Sequence, residues 1–168
     1  MIALGKTHRP AGFTLIELLV PLAIIAILIE FLIGPTLDGV RESAVAAARY
    51  PQLQAVANRV LDSVGTPVGA AQSPVEQAIG RARSLATAEE EGQVPDVQEL
   101  SAILDELHAA EAVISQDRSD LRNLAPARGT AEREAYVDLQ RSLGALIGEL
   151  RALEDNFRRQ QQIVERLR

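Results

Sequence analysis

Phe13 to Ile33 is a run of 21 residues interrupted only by Thr14, Glu17, Pro21 and Glu30. Coiled into a helix, it reaches about 30 Å at roughly 1.5 Å per residue, the thickness of a bilayer's hydrocarbon core. Lys6, His8 and Arg9 precede the run, whereas Asp38, Arg41 and Glu42 after it nearly cancel. The positive-inside bias therefore predicts a cytoplasmic leader and an exported body. A cleaved secretory signal would place its cut at Ala44-Val45-Ala46. It fits poorly, because such signals have apolar cores of about 7–15 residues with cleavage close behind. Hydropathy alone leaves a plain uncleaved anchor open.

The residues at the start of the run are more specific. Gly12-Phe13-Thr14-Leu15-Ile16-Glu17-Leu18-Leu19-Val20 resembles, position for position, the processing site of type IV prepilins and type II secretion pseudopilins. The likeness continues through Ala23-Ile24-Ile25-Ala26-Ile27-Leu28. In that family the prepilin peptidase, a membrane-embedded aspartyl enzyme, cuts on the cytoplasmic side between the matching Gly and Phe and methylates the new amine. The resemblance thus implies cleavage between Gly12 and Phe13, N-methylation of Phe13, and retention of the apolar run as a single-pass inner-membrane anchor, with the body periplasmic or extracellular.

Glu17 stands out for a physical reason as well. A carboxylate inside an apolar run costs about 2.5–3.5 kcal/mol on insertion scales and is normally retained for a partner. The resemblance implies that partner: the methylated amine of Phe13 in an adjacent pilin-like subunit. Lying four residues from the new terminus, Glu17 alternatively snorkels to the cytoplasmic interface or stays protonated.

Three residues depart from the commonest family pattern. Pro21 removes a backbone donor and predicts a kink near residues 17–21. Ala26 replaces a frequent Gly, and Glu30, within a turn of Gly34-Pro35, is expected to reach the outer interface.

Beyond the run, composition sets the fold class. Aromatics are 3% of the 168 residues, Cys and Trp are absent, and Ala, Leu, Glu, Arg and Gln dominate, as in long helices and coiled coils. An all-α body of three to four helices is expected, with residues 1–12 as leader, 13–34 as transmembrane helix, 35–64 continuing it, and 65–168 as a helical exported domain. Pro51 marks a kink or restart. Ser73 caps a helix that starts at Pro74 and runs to about Glu90 with a thin stripe of Val75, Ile79, Ala82 and Ala86. The next helix runs from Asp96 to about Leu124 on Val97, Leu100, Leu104, Leu107, Ile114 and Leu121. Glu111 and Arg118 occupy slots where its pattern wants apolar residues.

After Ala125-Pro126-Ala127-Arg128-Gly129, Thr130 starts the last helix. Tyr136, Leu139, Leu143, Leu146, Leu150, Leu153, Phe157, Gln160, Val164 and Leu167 form its regular three-four seam. The short loop before it favours packing within the chain, against the preceding helix, over a seam between subunits. The antiparallel sheet that typical pilin heads carry is not expected, because alternating β-branched runs and hairpin turns are missing after residue 65.

Few kinds of chemistry remain. The formal charge is −6, and losing Lys6 and Arg9 leaves 15 basic against 23 acidic residues, a net of −8. With Arg interleaved among Glu and Asp, no nucleic-acid partner is expected. With no Cys, and His108 the lone histidine after Gly12, triads built on His and zinc sites built on Cys are out of reach. Asp105, His108 and Glu111 share one helix face at three-residue spacing but read as a solvated face, since a carboxylate-bridged metal bundle needs a second such motif. No cofactor fingerprint appears. The expectation is a non-enzymatic structural or accessory subunit of a type IV pilus or type II secretion system, partnered by the peptidase, other pilin-like subunits and inner-membrane lipid. A membrane-tethered helical adaptor or signalling protein that uses only the processing pathway is the alternative, and a ligand-binding helical head a third class.

Overall fold

The computed structural model describes Val20 and residues 23–65, 73–90, 95–124, 126 and 128–167. It is all-α: among the described residues there is no strand. Five helices follow in order: α1 (Ala23–Ala47), α2 (Pro51–Val64), α3 (Pro74–Glu90), α4 (Val97–Arg122) and α5 (Ala131–Leu167).

Each boundary has a local cause. Helix α1 stays helical to Ala47, where the N–H of Ala48 closes on the Ala44 carbonyl at 2.8 Å. Tyr50 is then extended, as a residue before proline prefers, and Pro51 opens α2. Of the kink and the restart, the structure has the restart, so α1 does not run on to residue 64. Ser73 and Glu76 form a reciprocal box at the head of α3: the Glu76 N–H donates to Ser73 Oγ at 3.1 Å and the Ser73 N–H to Glu76 Oε2 at 3.3 Å. Asp96 and Glu99 do the same for α4. The Arg133 N–H donates to Thr130 Oγ1 at 3.2 Å, capping α5.

Within α1, Leu28–Ile33 adopts the wider π-helical turn. Pro35 lies just beyond it and brings no N–H, while its ring crowds the carbonyl four residues earlier. A locally wider turn re-registers the ladder around that gap.

Pairs of contacts give the topology. Thr36 bonds Glu149 (2.6 Å) and Ser43 bonds Ser142 (3.0 Å), seven residues forward on α1 and seven back on α5, so the two run antiparallel. Arg151 reaches Glu111 at 2.7 Å and Glu154 lies 3.7 Å from His108, which makes α4 and α5 antiparallel as well. Ser63 with Asp117 and Arg81 with Glu106 set α2 and α3 in turn against α4, each antiparallel to it. The chain is therefore an up-down-up-down bundle of four rods, the second rod broken into α2 and α3. Arg41 of α1 clasps that break: its guanidinium donates to the carbonyls of Val64 and Gly65, each at 3.0 Å, and pairs with Glu76.

The α5 seam is buried from Tyr136 through Val164. It packs inside the chain, against α4 as expected and also against α1, which the periodicity did not indicate. Helix α3 buries its thin stripe, with Ala78 added. In α4 the buried line runs Leu100, Ile103, Leu107, Ala110, Ile114, Asp117, Leu121, so the expected slots at Glu111 and Arg118 are each displaced by one residue. Ala110 and Asp117 face inward instead. Glu111 turns to Arg151, and Arg118 lies across Gly144 of α5, where a Cβ would meet its guanidinium at 3.0 Å.

Candidate functional site

Gly12, Phe13 and Glu17, and the kink expected around residues 17–21, lie outside the described residues. What the structure places is the C-terminal part of the apolar run. Helix α1 is long and apolar enough to cross a membrane, with a mean hydropathy of 1.9 over its most apolar stretch.

Its two faces differ. Ile25, Ile29, Ile33 and Leu37 fall four residues apart and are buried, the first three completely. The antiparallel register with α5 carries this line past the stretch of seam that holds Leu153, Phe157, Gln160 and Val164. On the opposite side Val20, Ile24, Ile27 and Phe31 form an exposed apolar stripe, with Phe31 76% exposed. Glu30 stands at its edge and pairs with Arg83 of α3 at 3.1 Å, both side chains open to solvent. Arg83 as its partner was not legible from sequence.

The helix that covers α1 is highly charged. From Arg151 to Arg166, α5 carries seven charged side chains: Arg151, Glu154, Asp155, Arg158, Arg159, Glu165 and Arg166. Taking them into hydrocarbon at about 2.5–3.5 kcal/mol each costs roughly 20 kcal/mol. The net stability of a domain is about 5–15 kcal/mol. This half of the bundle cannot follow α1 into a bilayer.

Two buried carboxylates, Asp117 and Glu154, and the half-buried Glu149 lie along the rods. Asp117 accepts from Ser63 Oγ at 3.1 Å, with Arg59 at 3.7 Å; burial pushes its carboxyl above the ordinary value, while Ser63 and Arg59 pull it back. Glu149 accepts from Thr36, and burial raises its carboxyl too. Glu154 is buried, with Oε2 3.3 Å from Arg158 and Oε1 near the exposed His108. The ring of His108, Glu111 and Glu154 come within a few ångströms of one another, Asp105 staying outside on the solvated face. Arg151 and Arg158 already neutralise the two carboxylates, so the cluster is accounted for as an inter-helix ion-pair network. No spacing in the sequence singles out Asp117, whose partners lie on α2, or Glu149 and Glu154, which flank the α5 seam.

Residues 7–29 match a family described as the prokaryotic N-terminal methylation motif. The chain carries the prepilin-type cleavage and methylation motif. No curated protein and no solved structure matches it. The motif marks a prepilin-like chain processed by the type IV pathway, and its last residues, Ala23 to Ile29, are the first turns of α1. An apolar prepilin-type helix followed by a helical body is consistent with a single-pass inner-membrane anchor.

Proposed function

We propose that this prepilin-like chain is a non-enzymatic structural or accessory subunit of a type IV pilus or type II secretion system, held in the inner membrane by its apolar run with the bundle outside. The observation that carries the proposal is the methylation motif running directly into α1. Prepilin peptidase cuts between Gly12 and Phe13 and methylates Phe13, and Glu17 neutralises that amine in a neighbouring pilin-like subunit.

The test has two steps. Intact-mass and N-terminal peptide measurements on protein from cells with active peptidase should give a chain that begins at N-methyl Phe13, and Gly12→Val should block the cut. A new terminus near Ala47, or an uncut leader, would overturn the assignment. Glu17→Gln should leave insertion and cleavage intact but deplete the subunit from sheared filaments, because the amide keeps the shape and loses the charge.

One observation favours a second reading. The body is an antiparallel helical bundle with no strand among the described residues, unlike the sheet of typical pilin heads. A membrane-tethered adaptor that borrows only the processing pathway would tolerate Glu17→Gln in every assay and would be absent from filaments in either form.

A further inference from the structure

The apolar run needs most of its 21 residues to cross a bilayer, yet the last nine, Ile25 to Ile33, are held by the bundle. Ile25, Ile29 and Ile33 are packed into the bundle, and Glu30 is tied to Arg83 of α3. With Ile25 to Ile33 held in the bundle, the twelve residues before them in the run could span about 18 Å as a helix, well short of a hydrocarbon core of about 30 Å. The charged stretch of α5 that covers the isoleucines cannot be submerged with them, by the cost set out above.

We infer that residues 23–33 have two mutually exclusive docking places, a groove in the lower half of this chain's own bundle and the lipid bilayer, and that insertion draws the segment out of the groove. This rests on the anchor part of the proposed function and adds a regulated step to it. The groove is flanked by α3 on the side of Arg83 and floored by α5 on the side of Leu153 and Phe157. It covers one face of the segment. Hydrocarbon covers both, including Val20, Ile24, Ile27 and Phe31, which the docked state leaves bare. The apolar burial given up in the groove is recovered in lipid, so the bilayer wins wherever the two compete. The remaining rods, α3, α4 and α5, then close on one another through Leu100, Leu107, Leu153 and Phe157, while the upper half keeps its hold on α1 through Thr36 and Ser43. Withdrawal from the membrane, for whatever purpose, re-docks the segment and shields its isoleucines from water.

The chain has no cysteine, which makes the test clean. Full-length protein with Glu30→Cys and Arg83→Cys reports the docked state. A second protein with Glu111→Cys and Arg151→Cys reports the α4–α5 contact in the same half of the bundle without involving α1. Because each pair meets through long side chains and a direct disulfide needs Cα atoms within about 7 Å, each protein is treated with a reducible bismaleimide, in mild detergent and, separately, after reconstitution into vesicles of phosphatidylethanolamine and phosphatidylglycerol. The 30–83 cross-link should form in detergent and fall about tenfold or more in vesicles, while the 111–151 cross-link forms equally in both. The 30–83 protein cross-linked beforehand should float poorly with vesicles and recover on reduction.

Undiminished 30–83 bonding in vesicles overturns the inference. So does loss of both cross-links there, which would mean that the lower bundle melts or sinks as a unit, and so does failure of the 30–83 cross-link in detergent. A reduced protein that does not float at all overturns the anchor reading, and the inference with it.

Discussion

At the scale of single residues, Asp117 makes stability depend on pH in a specific direction. A carboxyl raised by burial, as Asp117 is, holds its proton more tightly in the folded chain than in the unfolded one. Its contribution is most favourable below about pH 4, is lost as pH rises through the raised value, and stays lost above it. Ser63 on α2, Arg59 on α2 and Asp120 on α4 set the size of the effect. Asp117→Asn removes the titration and keeps an acceptor for Ser63. The stability of the variant relative to the parent should therefore be greatest near pH 7 and shrink towards pH 4, read as the difference in urea midpoint in detergent. A difference that is flat or grows on acidification would contradict the burial account. Phe157 tests the seam: it is fully buried, and Phe157→Ala should cost about 3–5 kcal/mol in the same assay. Of these residues, Phe157 was legible from the three-four spacing alone. Asp117 was not, because a charged side chain in a core slot looks like a lapse in the pattern until the opposite helix supplies Ser63 and Arg59.

At the scale of elements, proline and the caps carried most of the readable signal. Ser73-Pro74, Asp96 and Thr130 open their helices as expected, since each supplies an oxygen to otherwise unpaired N–H groups at a fixed spacing. Ser73→Ala should cost about 1 kcal/mol, and Ser73→Asp should recover most of it, because the need is for an acceptor. The π-helical turn at Leu28–Ile33 was not foreseen. Its cause, Pro35, is visible in the sequence, but whether a proline kinks, widens or ends a helix depends on what packs around it. Here Ile29 and Ile33 pin the helix to α5, which favours widening over bending. Pro35→Ala should let the α-helical ladder run through residues 28–33, seen as restored i to i+4 amide contacts by nuclear magnetic resonance in micelles. The one-residue displacement of the α4 stripe has a similar origin: Ala110 is too small to register as a core position, so the eye moves to the slot beside it.

At the scale of the whole molecule, composition and period were enough for an all-α chain behind an apolar helix, and the motif at residues 7–29 for its processing. That α5 would pack against α1 as well as α4 was hidden, because the run Phe13 to Ile33 is apolar on all sides and its periodicity singles out no face for the bundle. Residues 36–168 alone should still give a far-ultraviolet circular dichroism spectrum dominated by helix. Without Ile25, Ile29 and Ile33 to cover it, however, the stretch from Arg151 to Arg159 should be cut by trypsin sooner than in the full chain. The antiparallel pairing of α1 and α5 also has a mechanical side. The Ala23 end of α1 and the Leu167 end of α5 lie at the same end of the bundle, with the turns at Ala48–Tyr50 and Asn123–Thr130 at the other. Tension applied between those two neighbouring ends peels α5 from α1 one turn at a time, each contact bearing the load alone. Tension between the Ala23 end and the Asn123–Thr130 turn loads the α1–α5 seam in shear, where Leu37, Val40 and Ala44 resist together with the Thr36–Glu149 and Ser43–Ser142 bonds, whether or not Ile25 to Ile33 are docked. A chain held by its apolar helix and gripped at the Asn123–Thr130 turn is thus strong along the bundle axis and weak across it.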